Sequence, residues 1–295
     1  MATAIWSTTP VVTGYLITRF HMPPLVLSFW RDLIVAIALF AVLSLVARPL
    51  LRLERRQVLF FLLYGFVLAA FNGLWITAVA LNGAAVATVL AYSAPAFTAL
   101  AGWRLWGERL DALKIGAVVL CIVGCALISG AYDGAAWRVN PVGIVTGLAS
   151  GVAFATYNLL GKVSSRRGIN PWTATLYSFG FAAVFLLLVQ RPETVLWLSR
   201  SPGNEALQGW GILVFLAAGP TLTGYGLYTV SLTHLPATTA SLITTLEPAL
   251  TAVQAFCFLG ERLTIPQLLG GGLILVGVVL VRLGERGGAA ELSTL

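Results

Sequence analysis

The chain has 295 residues, of which 58% are hydrophobic and 10% charged, with a formal net charge of +7 and a mean hydropathy of +0.90. A soluble domain carries about 25% charged residues, so this chain cannot cover itself with a solvated surface and reads as a polytopic membrane protein. The basic excess lies in short gaps between apolar runs and is not pooled in one patch, which argues against nucleic-acid binding and for membrane orientation.

A spanning helix needs about 20 apolar residues. In chain order the sequence predicts ten spans, at 4–20, 24–47, 57–81, 84–105, 112–130, 141–163, 171–190, 209–232, 236–259 and 265–283. The first, "MATAIWSTTPVVTGYLITRF", has no basic leader and carries threonines where a signal peptide would be apolar, so it reads as a polar span and not a cleaved signal. "HMPP" (21–24) turns the chain into the second span, which holds Arg31-Asp32 roughly 10 Å in at 1.5 Å per residue. That pair reads as self-compensating, or as an arginine snorkelling to the interface, and not as a ligand-binding group. "LNGA" (81–84) and "GINP" (168–171) mark further turns. Cys121 and Cys125, one helical turn apart, and Cys257 read as small core residues with no disulfide. In the sixth span Gly143, Gly147 and Gly151 recur at four-residue spacing, the signature of close helix packing. The longest connection, about 191–208, contains Pro192, Pro202 and Gly203.

Ten spans put both termini on one side. That side collects Arg48, Arg52, Arg55, Arg56, Arg104, Arg109, Lys114, Lys162, Arg166, Arg167, Arg282 and Arg286; the other has Arg19, Arg138, Arg191, Arg200 and Arg262. Basic residues mark the cytoplasmic side, so both termini are expected in the cytoplasm.

The chain also repeats itself. "APAFTALAGWRLWGERLDALKIGAVVLCIVGCAL" from Ala94 matches "EPALTAVQAFCFLGERLTIPQLLGGGLILVGVVL" from Glu247 at an offset of 153, pairing Pro95 with Pro248, Gly107-Glu108-Arg109-Leu110 with Gly260-Glu261-Arg262-Leu263, and Gly124 with Gly277. "HMPP" and "GINP" open corresponding helices. The expected fold is therefore all-α, with ten transmembrane helices as an inverted repeat of five: 1–139 as the first unit and 140–295 as the second. Five is odd, so the second copy enters the bilayer upside down. Such repeats build many secondary transporters, with substrate sites near the midplane.

Within that frame some residues stand out. A proline inside a helix removes a backbone hydrogen bond, and Pro95 and Pro248 occupy matching places; they are either tolerated kinks or a pair of gating hinges. Glu247 is an acid in the middle of the ninth span, where charge costs roughly 2.5–3.5 kcal/mol. It either meets a substrate's amino group or takes up a proton, or else is held by the backbone opened at Pro248 or by a basic residue elsewhere. Its repeat mate is Ala94, so the kink itself does not require an acid. Trp6, Asn72, Trp75, Tyr92, Tyr157, Asn158, Tyr225 and Tyr228 face the expected centre, an aromatic and amide set suited to a ring-bearing or apolar solute. The substrate-binding set is placed at Glu247, Tyr92, Trp75, Asn72, Tyr157, Asn158, Tyr228 and Thr244. The "GERL" loops read as helix caps and loop pairings. "LLGKVS" (159–164) lacks the first glycine of a P-loop, and His21 and His234 sit apart at span ends, so no metal and no cofactor is expected.

"PPLVLSFWRDLIVAIAL" (23–39), the doubled "GERL" and the proline-bearing fourth and ninth spans resemble the drug/metabolite transporter superfamily in its EamA-type branch, and within it the YddG-type exporters of aromatic amino acids. The resemblance implies a basket of ten helices around a cavity lined by spans one, three, four, six, eight and nine. It also implies a carrier, not an enzyme, that exports aromatic and other neutral amino acids across the inner (plasma) membrane by alternating access. The partners expected are an amino-acid substrate and membrane lipid, with no nucleic acid. An exporter of another small metabolite or drug-like cation, a membrane-embedded enzyme and a structural subunit are the competing readings. The second half has Ser178 or Phe179 where the first has Arg31, so any role for that arginine is confined to one half.

Overall fold

The structure, a computed structural model, describes residues 2–107, 112–128, 140–190, 203–247, 249–250, 264–266, 268–277 and 279–280, with the backbone alone at 83–86, 88, 89 and 106. Pro248, Cys257, the residues after Gly107 in the first "GERL" loop and the whole of the second lie outside the described residues, as does most of the 191–208 connection.

The described chain is helical, and its polarity is inside-out. Leu45, Val46, Leu59 and Leu188 stand exposed, while Arg31, Asp32, Asn72, Asn158, Thr239 and Ser241 are buried. In water that distribution would be ruinous; in hydrocarbon the apolar faces meet lipid and the polar ones face inward.

Helices α1 (Ala2–Trp6) and α2 (Thr9–Phe20) make the first span, interrupted at Ser7-Thr8. His21, in the left-handed conformation at φ 50°, ends α2, and Pro24 opens α3 (Pro24–Val46). A proline at the first helical position has no hydrogen bond to lose. A short 3₁₀ turn (Arg48–Leu51) leads to α4 (Arg55–Ala91), followed by α5 (Ala94–Trp106) and α6 (Ala112–Ile128). Asn140 caps α7 (Pro141–Arg166) and Asn170 caps α8 (Pro171–Val189), each accepting from the backbone N–H two residues on, at 3.0 and 2.9 Å. Then come α9 (Gly203–Leu216), a π turn (Ala217–Thr221) around Pro220, α10 (Leu222–His234), α11 (Ala237–Thr244) and α12 (Leu268–Gly277).

The backbone of α4 is helical from Arg55 to Ala91, with no non-helical residue at the turn expected at "LNGA". Yet Asn72 and Trp75 line the same cavity as Ala91 and Tyr92, whereas a straight helix would hold Asn72 and Tyr92 about 30 Å apart. The chain therefore folds back between them. Helix α7 registers the reversal: a Cβ on Gly143 would strike Asn82, one on Gly147 would lie 2.6 Å from Leu90 Cδ1, and one on Gly151 would strike the Ser93 hydroxyl. The three glycines are what lets α7 lie against both limbs.

By length and hydropathy five of these helices can cross a membrane: Pro24–Val46, Arg55–Asn82, Pro141–Arg166, Pro171–Val189 and Gly203–His234. The expected spans one, four and nine do not appear as single helices because each is interrupted. Between Leu90 and Ala94 the chain leaves the helix at Tyr92-Ser93, and between Thr244 and Glu247 at Thr245-Leu246. Pro95 accordingly sits in the first turn of α5, where no bond is lost, and not inside a kinked helix. Hydroxyls reinforce the turns at the breaks: Ser93 Oγ donates to Leu90 O and Thr245 Oγ1 to Leu242 O, each at 2.6 Å, beside the backbone N–H bonds those carbonyls already accept.

Helices α3 and α8 run antiparallel. The start of α3 meets the end of α8, where Gln190 Nε2 donates to Leu25 O at 3.0 Å; beyond the end of α3, Thr173 Oγ1 at the start of α8 donates to Leu50 O at 2.8 Å. Helices α6 and α12 meet through the matched glycines. A Cβ on Gly124 would lie 2.6 Å from Gly270 O, and one on Gly277 3.0 Å from Ala117 O. Cys121 and Cys125 are buried there and form no disulfide.

Candidate functional site

The central cavity opens where the interrupted helices meet. Trp6 and Thr9 flank the break in the first span, Ala91 and Tyr92 stand at the second, and Thr244 and Glu247 flank the third. Arg31 of α3, Phe71, Asn72 and Trp75 of α4, Phe154 of α7 and Tyr225 of α10 complete the lining. About 60 Å³ is open to the centres of water molecules, several times the roughly 10–15 Å³ that one water requires. In this conformation the cavity is narrow, with room for a few water molecules.

Its walls are aromatic. Trp6 packs edge-on against Tyr225 with ring centroids 4.4 Å apart, and Phe71 stacks on Phe154 at 4.7 Å. Set into them are two polar groups of opposite kind. On one side Tyr92 donates its hydroxyl to Glu247 Oε2 at 2.7 Å. On the other, Arg31 Nε donates to Asp32 Oδ1 at 3.4 Å, and both residues are almost fully buried. Asn72 Nδ2 donates to both Asp32 oxygens, at 3.0 and 2.8 Å, and the Tyr225 hydroxyl approaches Asn72 Oδ1 at 3.4 Å. Asp32 is thus held from two helices, and it holds the arginine.

Of the residues the sequence placed in the site, Glu247, Tyr92, Trp75, Asn72 and Thr244 come together around this cavity. Tyr157, Asn158 and Tyr228 are buried beside it and outside its lining. Tyr228 donates to Asn158 Oδ1 at 2.8 Å, whose amide donates to Ser241 at 3.1 Å, a chain tying α7, α10 and α11 together. Arg31 is the residue the sequence reading set aside and the structure puts in the wall; it is 2% exposed, so it does not snorkel. Thr9, Phe71 and Phe154 were also missed.

A second cavity, of about 240 Å³, is lined by Ala2, Thr3, Leu227, Tyr228, Ser231, Leu235, Ala240, Ile243 and Thr244. Thr244 lines both cavities, and Ala2 and Thr3 put this one at the end of the bundle where the N-terminus lies. The opposite end is packed shut: Leu16, Phe20, Met22, Val26, Leu27, Leu213 and Leu216 form one apolar cluster, and Arg19 pairs with Glu205 at 3.4 Å on its rim. Among the described residues no group of His, Cys, Asp or Glu is arranged to hold a metal ion.

A family model described as the EamA-like transporter family matches residues 1–130 and again 141–283. The threonine/homoserine exporter RhtA of Escherichia coli strain K12 is 29% identical over 76% of this chain and 71% of its own. A protein described as a probable amino-acid metabolite efflux pump, from the same strain, is 26% identical over 90% of this chain and 88% of its own. An uncharacterized transporter of Archaeoglobus fulgidus is 28% identical over 72% and 74%. A solved crystal structure aligns over 97% of this chain and 95% of its own with a TM-score of 0.76 at 18% identity, so the fold is a known one.

Proposed function

Because the chain belongs to the EamA-like transporter family, and is thereby a multi-pass membrane protein, we propose that it is a carrier exporting amino acids, aromatic and other neutral ones, across the inner (plasma) membrane. The observation that carries this reading is the cavity itself: an aromatic-walled space beside a buried carboxylate, bounded by three helix interruptions. Broken helices at mid-membrane are how transporters present backbone and polar groups to a solute. Glu247 receives the substrate's ammonium and Trp6, Trp75 and Tyr225 receive its side chain. RhtA is a threonine/homoserine exporter by name, which supports amino acids as the class; the aromatic walls support the preference for rings.

The carrier works by alternating access between two inverted five-helix units, 1–139 and 140–295. The antiparallel course of α3 and α8, the face-to-face packing of the Gly124 and Gly277 helices, and helix breaks at Tyr92-Ser93 and Thr245-Leu246, the same 153 residues apart as the sequence copies, support that arrangement. The second cavity, beside Ala2, is a vestibule on the open side, and the Arg19–Glu205 end is the closed one. With basic residues such as Arg48, Arg52, Arg55, Arg56 and Arg166 marking the cytoplasm, the state described faces inward. Pro95 and Pro248 fix the points about which the fourth and ninth spans swing.

Purified protein in proteoliposomes tests this with a panel of labelled amino acids. Saturable uptake of phenylalanine and other neutral amino acids is expected; uptake that is flat across the panel would remove the reading.

A further inference from the structure

Arg31 is among the largest fully buried side chains described, yet little in the protein accounts for it. A guanidinium has five N–H donors in a fixed fork and pairs best with a carboxylate through two parallel bonds. Here the pairing with Asp32 is one-sided, through Nε alone at 3.4 Å, and Nη2 is buried without a hydrogen-bond partner. Asp32 does not close the fork: its Oδ1 meets Nε alone, while Asn72 donates to both of its oxygens from α4. Arg31 and Thr9 both line the cavity, and each keeps a buried polar atom without a hydrogen-bond partner. A buried donor left unmade is costly, and a ligand entering the cavity can complete it.

The ligand must suit both walls. A multiply charged anion would meet Arg31 but be repelled by Glu247, and an organic cation would meet Glu247 but leave Arg31 unmet. A molecule with one carboxylate and one ammonium satisfies both. We propose that Arg31 is the carboxylate-binding group of the cavity, so that the substrate is an α-amino acid held by its carboxylate at Arg31 and its ammonium at Glu247. This rests on the amino-acid reading above and narrows it: amines, amides and esters of the same side chain are rejected. The Asp32–Asn72–Tyr225 hydrogen bonds keep the arginine in register, and its counterpart in the second half is Ser178 or Phe179, so carboxylate recognition belongs to one half alone.

The test is competition against labelled phenylalanine in proteoliposomes, using phenylalanine, its carboxamide and its N-acetyl derivative. In the wild type both derivatives should compete at least tenfold more weakly than phenylalanine. The double variant Arg31→Gln/Asp32→Asn removes both charges together, leaving no lone buried charge, and should lose the distinction between phenylalanine and its carboxamide while still discriminating against the N-acetyl derivative. Glu247→Gln should show the reverse. Should the double variant not fold, as judged by elution and melting of the detergent-solubilised protein, the wild-type ratio decides alone. A carboxamide that competes as well as phenylalanine, or a folded double variant that still rejects it, overturns the proposal while leaving the amino-acid reading intact. Absence of uptake for every amino acid removes that reading and this proposal together.

Discussion

The Tyr92 hydroxyl meets Glu247 Oε2 at 2.7 Å, joining the point where one half's fourth span breaks to the point where the other half's ninth span does. A hydrogen bond to a charged group contributes about 1.5–3 kcal/mol. Tyr92→Phe should therefore lower the initial rate of amino-acid uptake by roughly tenfold or more, and Glu247→Gln should lower it further by removing the group that meets the ammonium. Initial rates across a substrate series give both numbers. Equal rates for wild type and Glu247→Gln would take the carboxylate out of the site.

Pro95 opens α5 one residue beyond a gap in helical bonding. Pro95→Ala restores a donor that can rejoin the preceding turn, so the gap should shorten and the helix stiffen. The expected outcome is slower exchange with substrate affinity nearly unchanged, read as a fall in maximal rate at constant KM. Pro248→Ala should behave alike. Wild-type rates in both variants would show that neither proline is a hinge.

Gly151 allows α7 to touch the broken fourth span: a Cβ there would lie 3.0 Å from the Leu90 carbonyl and collide with Ser93. Overpacking of this kind costs about 1–3 kcal/mol. Gly151→Val should lower the melting temperature of the solubilised protein by several degrees, whereas Gly116→Ala, with nothing within 4 Å of the new Cβ, should leave it unchanged.

Arg19 and Glu205 close the end opposite the vestibule, and both are about half exposed. An exposed pair contributes about 0–1 kcal/mol, so Arg19→Gln/Glu205→Gln should hardly move the melting temperature. Its role is positional. Cysteines at 19 and 205, joined by a short reducible crosslinker in a chain lacking Cys121, Cys125 and Cys257, should stop transport, and reduction should restore it. Transport at full rate with the crosslink in place would contradict alternation at this end.

Much of this was legible in the sequence because punctuation and periodicity are local. "HMPP" and "GINP" start α3 and α8 where expected, the contacts of α7 put the reversal between Asn82 and Leu90, close to "LNGA", and α3, α7 and α8 end within a few residues of their predicted limits. The breaks were less legible. Ser7-Thr8 carries no proline, and Pro220 yields a π turn in which Thr221 Oγ1 donates to Leu216 O at 2.8 Å, a repair that depends on backbone geometry. Arg31 was half legible. The local pairing expected of Arg31-Asp32 is present at 3.4 Å, but it is Asn72, forty residues on, that also binds the aspartate, and that tertiary contact is not written in the local sequence. Tyr157, Asn158 and Tyr228 are buried beside the cavity, where Tyr228 and Asn158 hydrogen-bond each other and Tyr157 packs its ring against Tyr64 and Tyr225.

The most direct measurement is counterflow of labelled phenylalanine into proteoliposomes preloaded with single unlabelled amino acids. A carrier that binds the zwitterion in one alternating cavity predicts accumulation driven by preloaded phenylalanine and other neutral amino acids, and none by the matching amines. Label that enters equally well whatever is preloaded, or with nothing preloaded at all, would contradict it.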